Sequence, residues 1–169
     1  AGAGGSSAGT GGTGGASTSG RWLMAYYPGY QSGDVPPDEV RFDLLSHLAV
    51  GAVLPNANGS LDTSFYKTPS TGPAFAKDLA SRAHKAGKKA ILMVGGAGTH
   101  DGFASASKAP MRATFVSNLV AFAKANDFDG LDLDWEPLPA ADLADFTALA
   151  ADLRAAWPDA ILTVPVGPL

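Results

Sequence analysis

The chain has no cysteine in 169 residues. That excludes disulfides and thiolate-held metal, so a core must be held by packing and hydrogen bonds alone. A large excess of either charge is also missing: 12 basic against 16 acidic side chains give a modest net charge of −4. Neither a basic footprint for nucleic acid nor a polybasic segment for a membrane surface is present. No apolar run reaches the roughly 18 residues of a membrane span. The chain opens on Ala1, with neither Met nor a signal-like apolar stretch. It reads as a processed or excerpted segment, so the missing leader leaves the compartment open. Residues 1–20, AGAGGSSAGTGGTGGASTSG, lack any side chain able to build a core. Such a Gly/Ser/Thr-rich stretch predicts a flexible linker, tethering the rest to an upstream module or a surface anchor.

From Arg21 the composition changes, and 46% of the whole chain is hydrophobic, enough for one sizeable core. WLMAYYPGY (22–30) predicts a strand stopped by Pro28-Gly29, followed by a short helix near 37–45. LSHLAVGAVL (45–54), KAILMVGG (89–96), FDGLDLDW (128–135) and AILTVPVG (160–167) predict four more strands. Apolar residues at helical spacing predict helices over 74–87, 109–126 and 140–157, with Gly87 as a stop, Pro110 in a first turn and Pro158 closing the last. Strands alternating with helices specify an α/β fold with a parallel sheet. The repeat of roughly 35 residues is close to one unit of an eightfold β/α barrel of TIM type, which typically runs about 250 residues. An open doubly wound sheet satisfies the same strand count.

The unusual segment is FDGLDLDWEP, Phe128 to Pro137, with four carboxylates in eight residues. Side chains alternate along a strand, so Asp132, Asp134 and Glu136 share one face, with successive members about 6.6 Å apart. Leu131, Leu133 and Trp135 point the other way, towards helices. Asp129 falls on the leucine face and serves the strand entrance. A solvated loop would not alternate so regularly. A calcium loop would not interleave apolar residues, and Pro137 stands directly after Glu136. A magnesium-dependent phosphodiester site would need basic partners for phosphate, and none is evident. A purely structural row would bury unpaired charge at high cost. Acid–base chemistry remains: crowded carboxylates cannot all ionise cheaply, so one or more is pushed towards its protonated form. Glu136 stands at the C-terminal end of the strand, where barrel enzymes place reacting groups. No metal and no cofactor is expected.

These residues resemble the Asp-Gly-x-Asp-x-Asp-x-Glu signature of family 18 glycoside hydrolases, the chitinases and their relatives, with every defining position present. The likeness in element order runs from about Trp22 to Leu169, with AYYPGY as first strand and VGG ending the third. It implies a (β/α)8 barrel that cleaves β-1,4 links beside N-acetylglucosamine, of which about five strands and four helices are present, over residues 21–169. Glu136 maps onto the general acid, Asp134 onto the group that orients the substrate's acetamido, and Asp132 onto the inner carboxylate coupled to Asp134. The acetamido oxygen itself attacks the anomeric carbon, so no second nucleophilic carboxylate is required. Tyr26 maps near the inner carboxylates, and Tyr27, Gly95, Gly96 and Trp135 join the candidates for substrate contact. The implied partner is chitin or another N-acetylglucosamine oligosaccharide, and the implied location is extracellular.

The sequence departs from this pattern in two places. The family's third strand usually ends Ser-x-Gly-Gly, but here it reads Met93-Val94-Gly95-Gly96. A hydroxyl able to bond Asp132 is replaced by a thioether, which disfavours the ionised form unless Tyr26 or water compensates. The family's sixth-strand tyrosine and eighth-strand tryptophan have no counterpart, which makes the segment the N-terminal portion of a barrel. An endo-β-N-acetylglucosaminidase of N-glycans carries the same motif, and a non-catalytic chitin-binding barrel or an inert fragment is the rival of another class. Among the histidines, His47 is expected in the core, His84 in solvent, and His100, in the loop GAGTHDGF, is a candidate substrate contact. The glycines after strand three do not form a dinucleotide fingerprint, since Gly96 and Gly98 are followed by Asp101. Tyr30 and Phe103 are further candidates for stacking on sugar rings.

Overall fold

A computed structural model describes residues 21–166. The expected linker over 1–20, and Gly167 at the end of the expected fifth strand, lie outside the described residues. In chain order the elements are β1 (Met24–Pro28), β2 (His47–Pro55), β3 (Leu61–Asp62), α1 (Gly72–Lys85), β4 (Lys89–Ala97), α2 (His100–Ala106), α3 (Ala109–Ala125), β5 (Gly130–Glu136), α4 (Leu143–Ala156) and β6 (Ile161–Thr163). In space β1, β2, β4, β5 and β6 lie side by side in that order, every pair parallel. A doubly wound sheet reverses its order at a switch point. This sheet never reverses, which is the winding of a barrel, and five strands form an arc of one.

The β4–β5 and β5–β6 registers place Met93, Asp132 and Thr163 in one row across the sheet, and Gly95 beside Asp134. Leu92, Leu131 and Leu162 form the adjacent row and point to the opposite face. There Leu48, Val50, Leu92, Val94, Leu131 and Leu133 are buried under Leu79, Phe115, Leu119, Leu149 and Leu153 from the helices. Each such leucine contributes about 1.5–3 kcal/mol by leaving water. One face of the arc is thus committed to packing, and the other carries the acidic row.

Three local expectations change. The strand expected over 160–167 ends at Thr163, short of Pro165, which has no N–H to give a ladder. The helix near 37–45 is instead a pair of 3-10 turns, Pro37–Glu39 and Phe42–Leu44, because Val40 between them is extended. That extension lets both Val40 and Phe42 pack against the core, which a continuous helical spacing would not do. The loop GAGTHDGF begins α2, whose Phe103 is fully buried, so one apolar anchor folds a stretch that looks like plain loop.

Candidate active site

Burial along β5 runs unbroken from Gly130 to Trp135, and only Glu136 is exposed. Asp132 is fully enclosed and Asp134 nearly so. Asp132 has a hydroxyl on each oxygen: Tyr26 donates to Oδ2 at 3.0 Å and Thr163 to Oδ1 at 2.5 Å. Burial pushes the Asp132 carboxyl above its ordinary value, and the Thr163 and Tyr26 hydroxyls oppose that push. Asp134 has no such help. Burial, then the charges of Glu136 and Asp132, raise it to about 6. Among the described residues its buried Oδ1 has no hydrogen-bond partner. Tyr26, half covered and facing all three carboxylates, is raised far above the usual phenol range, first by burial and then by Asp132.

Asp134 and Glu136 line a cleft of about 450 Å³ with Tyr26, Tyr30, Tyr66, Met93 and Gly96. Gly95 and Gly96 both have positive φ, +94° and +120°. A methyl group on Gly95 would collide with the Phe103 ring and the Asp134 carbonyl, so glycine lets β4 lie close against the carboxylate strand. Tyr30 and Tyr66 meet edge to face at 5.1 Å and stand 63% and 46% exposed, an aromatic wall of the cleft.

Of the expected set, the structure therefore brings together Asp132, Asp134, Glu136, Tyr26, Gly95 and Gly96. Trp135 and Tyr27 do not join them. Trp135 is buried on the helix face, stacked on Phe103 at 5.0 Å and 7°, as the alternation along β5 requires. Tyr27 follows Tyr26, so its side chain leaves on the other face, packs near Phe75 and donates its hydroxyl to the Val35 carbonyl. Phe103, being wholly buried, is also no sugar platform. His100 does not open into the cleft. Its two ring nitrogens engage Asp101 at 2.9 Å and Asp142 at 2.8 Å, which raise its pKa and tie α2 to the turn before α4. His84 is not simply solvated either, since it bonds Asp129 at 2.7 Å. His47 packs in the core, stacked with Trp22 and bonded to Ser46. Asp129 serves the strand entrance, receiving Lys89, His84 and the Ala90 N–H.

The profile of glycosyl hydrolases family 18 matches residues 23–168, nearly the whole described chain. The chain belongs to that family. Among curated relatives, a chitinase-like effector of Moniliophthora perniciosa is 36% identical over 128 residues, covering 72% of this chain and 27% of the relative. Chitotriosidase-1 of Mus musculus is 41% identical over 76 residues, 41% of this chain and 16% of its own length. Among solved structures, a chitinase from Rhizomucor miehei superposes with a TM-score of 0.72 at 29% identity, covering 86% of this chain and 47% of that one. A family 18 chitinase from Cycas revoluta in complex with (GlcNAc)3 gives 0.73 at 27% identity, with 85% and 45% covered. The chain spans about a quarter of the first curated relatives' length and under half of these structures. Its sheet is accordingly part of a family 18 barrel.

Two residues of this family 18 site escaped the sequence reading. Tyr66 sits in a turn with no periodicity to announce it. Phe65 and Tyr66 both have positive φ, 52° and 58°, and buried Phe65, stacked near Phe122 at 6.0 Å, fixes the turn that presents Tyr66 to the cleft. Thr163 becomes a site residue only through register, because Asp132 and Thr163 are Cα partners across β5 and β6.

Proposed function

We propose that this family 18 chain carries the acid–base strand of a retaining hydrolase of chitin or chito-oligosaccharides. The observation that carries the reading is the unpartnered, buried Oδ1 of Asp134 beside the exposed Glu136 at the rim of one cleft. A buried acceptor without a donor is costly. An acetamido N–H from an N-acetylglucosamine unit supplies the missing donor once the Asp134 carboxyl turns towards the cleft, and in doing so sets the acetamido oxygen towards the anomeric carbon. Glu136 gives its proton to the glycosidic oxygen as that C–O bond breaks, and the acetamido oxygen takes its place on the anomeric carbon. Water then displaces the acetamido oxygen from that carbon, breaking the bond just formed and losing a proton to the Glu136 carboxylate, and two inversions leave the configuration retained. The internal nucleophile arrives bound, so the entropy of bringing it up is largely spent on binding. Tyr30 and Tyr66 offer ring faces and edges on which a pyranose packs. That the Cycas revoluta chitinase is described with (GlcNAc)3 supports N-acetylglucosamine oligomers as the ligand class. A polymer of this kind is met outside the cell, so secretion is part of the proposal.

Turnover of a fluorogenic chito-oligosaccharide by this chain and by Glu136→Gln tests it. Loss of the acid/base should lower kcat by roughly 100-fold or more. Equal rates for the two would remove the proposal, and ligand binding without turnover would leave a binding module instead.

A further inference from the structure

The sequence predicts an inner carboxylate short of a donor, because Met93 stands where a hydroxyl was expected. The structure shows Asp132 with both oxygens occupied all the same. Met93 is indeed the in-register neighbour on β4 and donates nothing. The second hydroxyl comes from the other side, from Thr163 on β6. We infer that Thr163 is a positioning residue for the acidic row: its hydroxyl holds Asp132 as the carboxylate and leaves the proton of the row on Asp134. This assignment rests on the proposed role of Asp134 and Glu136, and adds to it the group that keeps the proton off Asp132.

An enclosed carboxylate keeps its charge only if hydrogen bonds replace the lost water. Asp132 has two, both O–H donors; Asp134, one step along the row, has a bare Oδ1. Two neighbouring carboxylates do not both ionise cheaply, so the one with donors takes the charge and its neighbour takes the proton. The other groups facing this pair do not reverse the order. Tyr26 from β1 is already counted, and Asp134 and Glu136 on β5 are acidic. Met93 on β4 does not titrate, and Tyr66, which faces Asp134, is a phenol raised above its ordinary value by burial, then by Tyr30 and Asp134. Valine fills nearly the same volume as threonine, so Thr163→Val removes little besides the hydroxyl.

Carboxyl-carbon NMR titration of the whole chain, with Asp132 and Asp134 assigned, tests this without any need for turnover. Thr163→Val is expected to raise the Asp132 midpoint and lower the Asp134 midpoint by on the order of one pH unit, the size of a hydrogen bond to a charged group. Thr163→Ser should restore both. Met93→Ser added to Thr163→Val should restore them in part, from the opposite strand. Where the chain hydrolyses a fluorogenic chito-oligosaccharide, Thr163→Val should lower kcat roughly 10-fold and displace the acidic limb of its pH profile, with KM little changed. Midpoints that stay in place in a folded Thr163→Val protein overturn the inference, even if stability falls. If Thr163→Val does not fold, the unaltered chain decides. A Thr163 hydroxyl proton protected from exchange, and released as Asp132 protonates, supports the assignment; one exchanging like a surface threonine overturns it. Absence of hydrolysis with displaced midpoints removes the catalytic proposal alone.

Discussion

Replacing Asp134 by Asn should stabilise the fold at neutral pH while abolishing the chemistry proposed for it. The Asp134 carboxyl lies at about 6, against an ordinary 3.8, because burial and the charges of Glu136 and Asp132 oppose its ionisation. A carboxyl raised by folding contributes most below its unfolded value, and that contribution is lost as pH rises through the folded one. Between pH 4 and pH 8 the native state therefore loses stability on account of this one group. At about 1.36 kcal/mol per pH unit the gap corresponds to a ceiling near 3 kcal/mol. One side of Asp134 faces an open cleft, where water screens the repulsion, so about 1–2 kcal/mol is the working figure. Urea unfolding of the chain and of Asp134→Asn at pH 4 and pH 8 reads it directly. The variant should gain on the wild type between the two pH values by that amount. A gain of the same size at both would show only that the amide packs differently. No gain at pH 8 would mean that the carboxylate is not held against its own charge, and the electrostatic account of the row would fail. The expected outcome is a familiar exchange, in which a reacting group is kept at the expense of stability.

Three further outcomes follow from the packing around the row. Phe103→Ala should cost about 3–5 kcal/mol in urea unfolding, because the ring is fully buried and stacked on Trp135; a loss below about 1 kcal/mol would show that α2 does not anchor the end of β5. Gly95→Ala should destabilise by about 2 kcal/mol or more through its positive φ and its closeness to Phe103 and the Asp134 carbonyl, and a thermal midpoint equal to the wild type would contradict that geometry. Burial raises Asp129, but its bonds from Lys89, the Ala90 N–H and His84 outweigh this and hold it below the usual carboxylate value. Its contribution is thus present above pH 3.8 and lost as pH falls through the folded value. Asp129→Asn should cost about 1–2 kcal/mol at pH 7 and much less at pH 3, and a cost independent of pH would refute the charge as its source.

The alternation Leu131-Asp132-Leu133-Asp134-Trp135-Glu136 made the carboxylate row legible before any fold was known, since a strand has only two faces. The same parity already turned Trp135 inward, to the helix face and away from the carboxylate row. Tyr26 was legible and Tyr27 was not separable from it by motif, although adjacent residues of one strand cannot share a face. The helices with clear periodicity and a stopping glycine or proline fell within about three residues of their expected ends. The 37–45 segment did not, because Val40 and Phe42 gain more from core contact than from continuing a helix.

What the sequence by itself determined is local: an acidic face, an apolar face, a strand–helix rhythm, and a donor missing at Met93. What only the tertiary structure decided is which strands are neighbours. The unreversed order β1-β2-β4-β5-β6 chose a barrel arc over a doubly wound sheet. It also set Thr163 beside Asp132, 31 residues away, and Tyr26 against it from 106. No local pattern encodes that register, because it is fixed by how the buried leucines of adjacent strands pack beneath the helices. The charge on Asp132 is therefore a property of the sheet, while the carboxyl itself is a property of the chain.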